Sequence, residues 1–390
     1  MTRSEQIATH SELIHQAEER YQQATAAIYP TLSGFASYTW QDSGARDLST
    51  SPTHQPLARI TATQPLFRGF REFAAMRQTQ ALLDAQGGDF QQARAQLMKD
   101  VAQNFYDILT LEQDVLNLGE QIHQYQQRIK ELQDRVRIGR SRSSEVLTID
   151  SVISTLRAQV EQRKAELGAA REVFAFLSGL PAATRLHEPP SSEADLGTLD
   201  EQLARLSLRP DVKAVQQRQI AARENVAVAR GARLPSLDLN ANRYLERRGS
   251  LENVDWDVQL VLTVPLYDGG ILQSRVREAI SQNSQAELSI SQVRRQAEQE
   301  IRTLYQNTVF DRAQLLALEK ATAAAQKNHA AQQRDYRLGL VTNLEVLQAQ
   351  TSFQENQRAL DRARYSAKLN ILRLQIATAR QPVVTDGATP

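Results

Sequence analysis

Residues 137–147 read RIGRSRSSEVL, and 200 residues further on residues 337–347 read RLGLVTNLEVL. In both stretches a helical pattern runs into a glycine, a few residues follow, and a second helical pattern leaves through Glu-Val-Leu. Glycine commonly ends a helix, because it adopts the left-handed conformation without strain. The spacing therefore predicts a tandem duplication in which each copy contains one turn between two helices.

The composition excludes several classes of protein. The chain has 390 residues, 46 basic and 45 acidic side chains, and no cysteine. The balanced charge gives no electrostatic basis for nucleic-acid binding, and we expect none. Without cysteine, the chain has no disulfide framework, no thiolate metal site, no cysteine nucleophile and no lipid-bearing N-terminal cysteine.

Hydropathy predicts no membrane-spanning helix, because no stretch reaches the roughly 18 consecutive apolar residues that such a helix needs. Membrane strands remain open, since alternating strands contribute little to a hydropathy profile. The sequence begins MTRSEQ, without the apolar core of a signal peptide. Two interpretations follow. Either the protein stays in the cytoplasm, or the first residue of this sequence is not the first residue of a secreted precursor.

Alternation of apolar and polar residues predicts four strands in two hairpins, near 31–40, 57–64, 236–242 and 256–264. Each strand has one apolar and one polar face, although Phe35 interrupts the polar face of the first. In a soluble sheet the polar face meets water, whereas in a membrane barrel the apolar face meets lipid. The strands alone favour the soluble interpretation, because soluble hairpins are more common.

Apolar residues three and four positions apart form a seam along residues 101–136. The helical pattern from 70 to 136 predicts a rod of roughly 100 Å, which no compact single-domain fold encloses. In the second copy the same spacing carries polar residues such as Thr308, Asp311 and Gln332. A two-stranded coiled coil in water does not tolerate so polar a seam, whereas a wall of helices around a wet interior does.

These patterns predict the organisation of the chain. The first repeat covers 1–180, with a helix, a hairpin at 31–66, a long helix at 70–136 and a return helix at 145–178. An irregular linker covers 181–200. The second repeat covers 201–380, with a helix, a hairpin at 235–266, a long helix at 270–336 and a return helix at 345–378, and residues 381–390 form a C-terminal tail.

Several short motifs stand in order within this repeat: RPD at 209–211, LPSL at 234–237, PLYDGG at 265–270, YRLG at 336–339 and EVL at 345–347. No single motif is specific, but their order is. In these residues the chain resembles the TolC-like outer-membrane efflux protein family over essentially its whole length.

The resemblance implies a mainly α fold with a small membrane β part. Three protomers would each give four strands to a twelve-stranded barrel in the outer membrane of a Gram-negative bacterium, and their helices would form an α-barrel extending into the periplasm. The implied partners are two further copies of the chain, a periplasmic adaptor protein, an inner-membrane pump of RND or ABC type, and outer-membrane lipid. Aligning Pro30 with Pro235 leaves the first copy short, so we expect that the given start is not that of the precursor.

No catalytic, cofactor or metal site is predicted. The six histidines lie in separate predicted segments, with no pair at ligand spacing. No glycine-rich phosphate loop follows a strand, and Gly87-Gly88 in a helical stretch indicates a weak or bent turn. With no Ser/His/Asp arrangement either, we expect that the protein is not an enzyme.

The candidate functional residues lie at the two turns. By resemblance, the tips that meet the adaptor are Gly139, Arg140, Ser141, Gly339, Leu340 and Val341. By the same resemblance, the residues of a closed periplasmic gate are Glu145, Tyr336, Arg337, Glu345 and Gln348.

Some of these positions also have a plainer interpretation. Three copies of Glu345 around a narrow axis would form an anionic ring that binds cations. Alternatively, Glu145 and Glu345 are first-turn acids stabilised by the helix dipole. Val341 occupies the place of a gate arginine in relatives, and Arg140, Arg142 or Arg337 are candidates to replace it.

The resemblance implies a passive outer-membrane exit duct for small molecules such as drugs, opened by an adaptor and driven by an inner-membrane pump. Type I protein secretion uses the same architecture and stays open as an alternative. A soluble coiled-coil scaffold is the alternative from another class, suggested by the missing export signal.

Overall fold

The computed structural model describes residues 5–42, 53–188, 197–248 and 251–380. The predicted linker is therefore described only in part, and the C-terminal tail lies outside the described residues. The helices are α1 Glu5–Ala26, α2 Arg71–Arg137, α3 Ser143–Ser178, α4 Leu199–Ala204, α5 Pro210–Gly231, α6 Ile271–Leu338 and α7 Asn343–Ala377, with a 3₁₀ turn at Arg205–Leu208. The strands are β1 Thr31–Trp40, β2 His54–Phe67, β3 Ser236–Arg247 and β4 Trp256–Thr263. Of the described residues 73% are helical, and one small sheet accompanies them, which confirms the predicted fold class.

The four strands form one antiparallel sheet in the order β1-β2-β3-β4. The hairpins of the two sequence copies join where β2 pairs with β3, for example Ala62 with Ala241. β2 extends three residues beyond the alternating run at each end, because it has hydrogen-bonding neighbours on both sides. β1 and β4 are the edges of the sheet.

The sheet has two chemically different faces. One face carries exposed apolar side chains, including Leu32, Ile60, Val258, Leu260 and Leu262. The other carries hydroxyl and amide groups that bond across strands: the Thr61 hydroxyl donates to Asn242 Oδ1 at 2.7 Å, and the Thr63 hydroxyl donates to Asn240 Oδ1 at 2.8 Å. The apolar face is therefore fully formed but uncovered in the protomer.

The chain divides into two compact units. The sheet unit contains residues 9–90 and 210–294, and the turn unit contains residues 1–8, 91–209 and 295–390. The helices α2 and α6 contribute residues to both units. Each is continuous, and they are 67 and 68 residues long respectively.

Within the sheet unit, α5 lies beside α2 and α6. Arg77 Nε lies 2.9 Å from Glu224 Oε2, and Gln219 Nε2 donates to Asn283 Oδ1 at 3.2 Å. A Cβ atom on Gly88 would lie 2.9 Å from the Ala214 Cβ. α2 continues through Gly87 and Gly88, and Gly88 allows α5 to approach it closely, while the weak or bent turn expected there stays a prediction.

Within the turn unit, α2 contacts both return helices. Arg171 Nη2 donates to Glu112 Oε1 at 2.6 Å on the α3 side, and Asn117 Nδ2 donates to Asp361 Oδ2 at 2.9 Å on the α7 side. α7 in turn contacts α6, where Asn370 Nδ2 donates to Asp311 Oδ2 at 2.8 Å. Asp311 of the polar seam is thus bonded to α7, whereas Thr308 donates to Tyr305 O within α6 and Gln332 Oε1 is buried without a partner in the described residues.

One hydrophobic cluster lies behind both turns. It joins α2, α3, α6 and α7 through the buried side chains Leu118, Tyr125, Leu132, Ile149, Ile153, Leu156, Tyr336, Val346 and Leu347. Several of these are the apolar seam residues of the first copy, spaced seven apart along α2. The cluster fixes the positions from which the two turns project.

Candidate functional site

Both turns are closed by the same backbone motif. In the first, the Arg140 N–H donates to Arg135 O at 2.8 Å, and Gly139 has a φ of 73°. In the second, the Leu340 N–H donates to Asp335 O at 2.9 Å, and Gly339 has a φ of 77°. This is a Schellman cap, in which the left-handed glycine lets the chain satisfy the last free carbonyls of the helix.

The two return helices begin differently. At α7, the Thr342 N–H and hydroxyl donate to Glu345 Oε2 at 2.6 and 2.8 Å, and together they form a capping box. These bonds, the backbone N–H first, hold the pKa of the exposed Glu345 carboxyl below its ordinary value. At α3, Arg142 occupies the N-cap and offers no acceptor, and Glu145 instead accepts from the Ser141 hydroxyl at 2.9 Å. In the protomer both glutamates therefore hold a helix start.

Tyr336 is the buried member of the predicted gate set. Its ring is 7% exposed and belongs to the cluster behind the turns. The Arg128 guanidinium lies 4.0 Å from the ring centroid and that of Arg135 lies 4.4 Å from it. Both are cation–π distances.

Arg128 also joins the first copy to the start of α7. Its Nε and Nη2 donate to Asn343 Oδ1 at 3.2 and 3.0 Å, and Asn343 is buried. The sequence predictions missed Arg128, Arg135 and Asn343. The seven-residue spacing of the two arginines on α2, which places them on one stripe of the helix, was the available signal.

The structure does not bring the five predicted gate residues into one bonded group. Arg337, Glu345 and Gln348 are exposed, Glu145 is half-buried, and Tyr336 is buried. No hydrogen bond or ion pair joins any two of the five in the described part of the chain. Their roles in a gate stay predictions.

The tips differ in chemistry. Gly139, Arg140 and Gly339 are exposed and Ser141 is half-buried. Leu340 is 72% exposed and lies between Leu338 and Leu344, which are also exposed. Val341 instead packs against the cluster behind the turns, so it is less available than its five companions.

The described residues contain neither a membrane-spanning helix nor a metal-binding cluster of side chains. No helix there is long and apolar enough to cross a membrane. No group of three or more His, Cys, Asp or Glu side chains within those ranges has the geometry to hold a metal ion.

The profile of the outer membrane efflux protein family matches residues 2–180 and 204–380. The chain belongs to the outer membrane efflux protein family. It is 23% identical over 369 residues to the outer membrane efflux protein BepC of Brucella suis, covering 92% of this chain and 78% of BepC. It is also 23% identical over 380 residues to the outer membrane protein TolC of Escherichia coli, covering 93% of this chain and 76% of TolC.

Solved structures of outer-membrane channels share the fold. VceC of Vibrio cholerae superposes with a TM-score of 0.86 at 19% identity, covering 97% of this chain and 94% of VceC. CusC superposes with a TM-score of 0.85 at 21% identity, covering 97% of this chain and 90% of CusC.

Membership of the family decides the general class and location of the protein. Its members are outer-membrane channels rather than enzymes. The protein is accordingly an efflux channel of the Gram-negative outer membrane that extends into the periplasm. The soluble-scaffold interpretation is thereby set aside.

Proposed function

We propose that three copies of the chain close into a twelve-stranded barrel and an α-barrel, forming a passive exit duct. The sheet carries this proposal, because it combines two unlike faces with two free edges, β1 and β4. Four strands are too few to close on themselves, whereas twelve suffice. Closure pairs β1 of one protomer with β4 of the next and removes every free edge.

The apolar face of the sheet supports its contact with lipid. Leu260 and Leu262 are each 63% exposed, which is a large apolar exposure for a protein surface in water. Exposed aromatic residues lie at the loop end of the strands, at Tyr38, Trp40 and Trp256, and at the helix end, at Tyr29, Phe70 and Tyr267. Aromatic girdles at both ends of an apolar band are typical of outer-membrane strands.

The two tips are proposed as the surface that meets a periplasmic adaptor protein. Leu338, Leu340 and Leu344 expose apolar surface at the second turn, and Arg140 and Arg142 expose charge at the first. The adaptor would connect the duct to an inner-membrane pump of RND or ABC type. In a trimer, three apolar and three basic tips would alternate around the opening.

The gate is proposed to lie just inside these tips. Glu145, Tyr336, Arg337, Glu345 and Gln348 are its candidate residues, and Arg128 is added because it links Tyr336 to the start of α7. Movement of α6 and α7 away from α2 would break these contacts and widen the passage.

The organisation as two repeats, 1–180 and 201–380 with a linker at 181–200, is likewise proposed. It is supported by the two separate stretches that match the family profile and by the same cap at both turns. The proposed cargo is small molecules such as drugs.

Fractionation of cells that express the full-length product tests the duct. We expect the protein in the outer membrane, and after detergent extraction we expect a species of three protomers. Recovery as a soluble cytosolic species would contradict the proposal. For the cargo, deletion of the gene should lower the concentrations of antibiotics and dyes that stop growth, whereas an unchanged susceptibility with loss of a secreted protein would favour type I secretion.

A further inference from the structure

The polar face of the sheet changes in character between its two ends. Near the helices it carries a closed ion pair, with Arg68 Nε 2.8 Å from Asp238 Oδ1, and the next row is neutral, with Thr31 paired with Thr63 and Asn240 paired with Gln259. Two residues further along β1, Ser33 pairs with Thr61. Nearer the loops the face becomes aromatic and charged.

A row of four side chains marks this change. Phe35 pairs with Arg59, and Arg59 pairs with Tyr244, so the row crosses three strands in register. Phe35 is the residue that interrupts the polar alternation of β1. The Arg59 guanidinium lies 5.2 Å from the centroid of the Phe35 ring, and this cation–π contact accounts for an aromatic residue at position 35. The fourth side chain, Asp257 of β4, lies one position nearer the helices, opposite Asn242, and accepts from the Tyr244 hydroxyl across the diagonal.

A second arginine joins the row through a β-bulge. The register of β2 and β3 shifts between Ala58 and Arg59, which gives β3 one extra residue there. As a result Arg247 lies on the same face as Tyr244, and its guanidinium is 4.4 Å from the Tyr244 ring centroid. The bulge therefore places Arg247, a second cation, on the polar face, whereas regular alternation along β3 would place it on the apolar face.

The charges of this region do not cancel. Asp257 is the one carboxylate that bonds to this group among the described residues, and it accepts from Asn242 Nδ2 at 2.7 Å and from the Tyr244 hydroxyl at 2.8 Å. Neither Arg59 nor Arg247 has a carboxylate within 4 Å in the described ranges, and Arg59 Nε is buried there without a hydrogen-bond acceptor. Two guanidinium groups held against aromatic rings thus face one carboxylate that is already engaged.

We propose that Phe35, Arg59, Tyr244 and Arg247 form an arginine–aromatic belt that binds organic anions in the outer half of the duct. The inference rests on the proposed trimer, in which the polar face lines the lumen and three copies of the belt surround it. Stacking on the rings holds the guanidinium groups in place, leaving their edges free to donate to a carboxylate or sulfonate. The aromatic rings add a surface for the flat part of such a molecule. The belt favours passage of aromatic anions over cations of the same size.

Current block in planar bilayers tests the belt, with mellitate, a benzene ring bearing six carboxylates, as the probe. Wild-type channels should be blocked by mellitate added on the side of the strand loops. Arg59→Gln removes three guanidinium groups per trimer and should weaken this block about tenfold. The matched control is Arg243→Gln, which removes an arginine of β3 that lies on the opposite face and pairs with Asp255. It should leave the block unchanged.

The outcomes separate this inference from the proposed trimer. If purified wild-type protein forms no channels and no trimer, the proposed function fails and the belt fails with it. If channels form but Arg59→Gln is blocked as strongly as wild type, or Arg243→Gln loses block equally, the belt alone is overturned. Should Arg59→Gln not insert, Arg247→Gln carries the same expected loss of block and the same refutation.

Discussion

Replacing Arg128 with alanine should loosen the start of α7. The Arg128 side chain is 12% exposed, and alanine removes its contacts with the Tyr336 ring and the Asn343 side-chain oxygen, besides its ion pair with the exposed Glu131, which contributes little. The cation–π contact contributes about 0.5–1 kcal/mol. Leaving a buried amide oxygen without its donor costs about 1–3 kcal/mol. Together these predict a loss of ~1.5–4 kcal/mol in the local stability of the second turn.

Amide hydrogen exchange of the full-length protein in detergent, read by mass spectrometry, measures this loss. Because 1.4 kcal/mol is a factor of ten in the opening equilibrium, peptides from residues 340–350 should exchange roughly 10- to 700-fold faster. The control is Arg337→Ala, since Arg337 is exposed and adjacent to Tyr336 in the chain. Unchanged exchange in Arg128→Ala, or an equal rise in Arg337→Ala, would refute the reasoning.

The remaining predictions concern other parts of the molecule. Gly339→Ala should lower the local stability of the turn by about 1–2 kcal/mol, because a residue with a side chain is strained at this left-handed φ even though an added Cβ would have no atom within 4 Å. Amide hydrogens of residues 336–341 should then exchange faster, and unchanged exchange would contradict the prediction. Gly88→Ala should lower the melting temperature, since its Cβ would lie 2.9 Å from Ala214, whereas Gly87→Ala, with nothing within 4 Å, should not; equal effects would argue against the close helix contact. Burial raises the pKa of Glu300, but Lys99 and Arg209 hold it below the ordinary 4.5. When the pKa of a carboxyl is lower in the folded than in the unfolded state, its ionised form stabilises the protein above the unfolded-state pKa, and this stabilisation is lost as the pH falls through the folded-state pKa. The difference in melting temperature between wild type and Glu300→Gln should therefore shrink from pH 7 to pH 4. A difference that stays constant would contradict this. Glu345→Gln should weaken cation block of the single-channel current; unchanged block would leave Glu345 as a helix-start residue only.

The long helices and the strands could be predicted from the sequence because their patterns are strong. The apolar seam along α2 repeats at helical spacing, and the strands alternate over seven residues or more. The paired turns at Gly139 and Gly339 were also visible, since glycine marks a left-handed helix end. These features depend on neighbours in sequence.

Features that depend on neighbours in space could not be predicted in the same way. The close approach of α5 at Gly88 requires knowledge of which helix lies beside α2. The contacts of Tyr336 with Arg128 and Arg135 join residues some 200 positions apart. The β-bulge that brings Arg247 onto the face of Tyr244 depends on the register between two strands from different repeats.

The measurement that most directly tests the central claim is disulfide cross-linking between the edges of the sheet. Residues 1–390 contain no cysteine, so the introduced pairs supply the thiols of this part of the protein. Ser33 of β1 would be replaced with cysteine together with, in turn, Asp257, Gln259, Val261 or Thr263 on the same face of β4. A closed trimer predicts that at least one pair gives covalently linked trimers in outer-membrane fractions on non-reducing gels, because neighbouring edges then lie within disulfide distance. Monomers alone for every pair, in protein that has reached the outer membrane, would contradict the account.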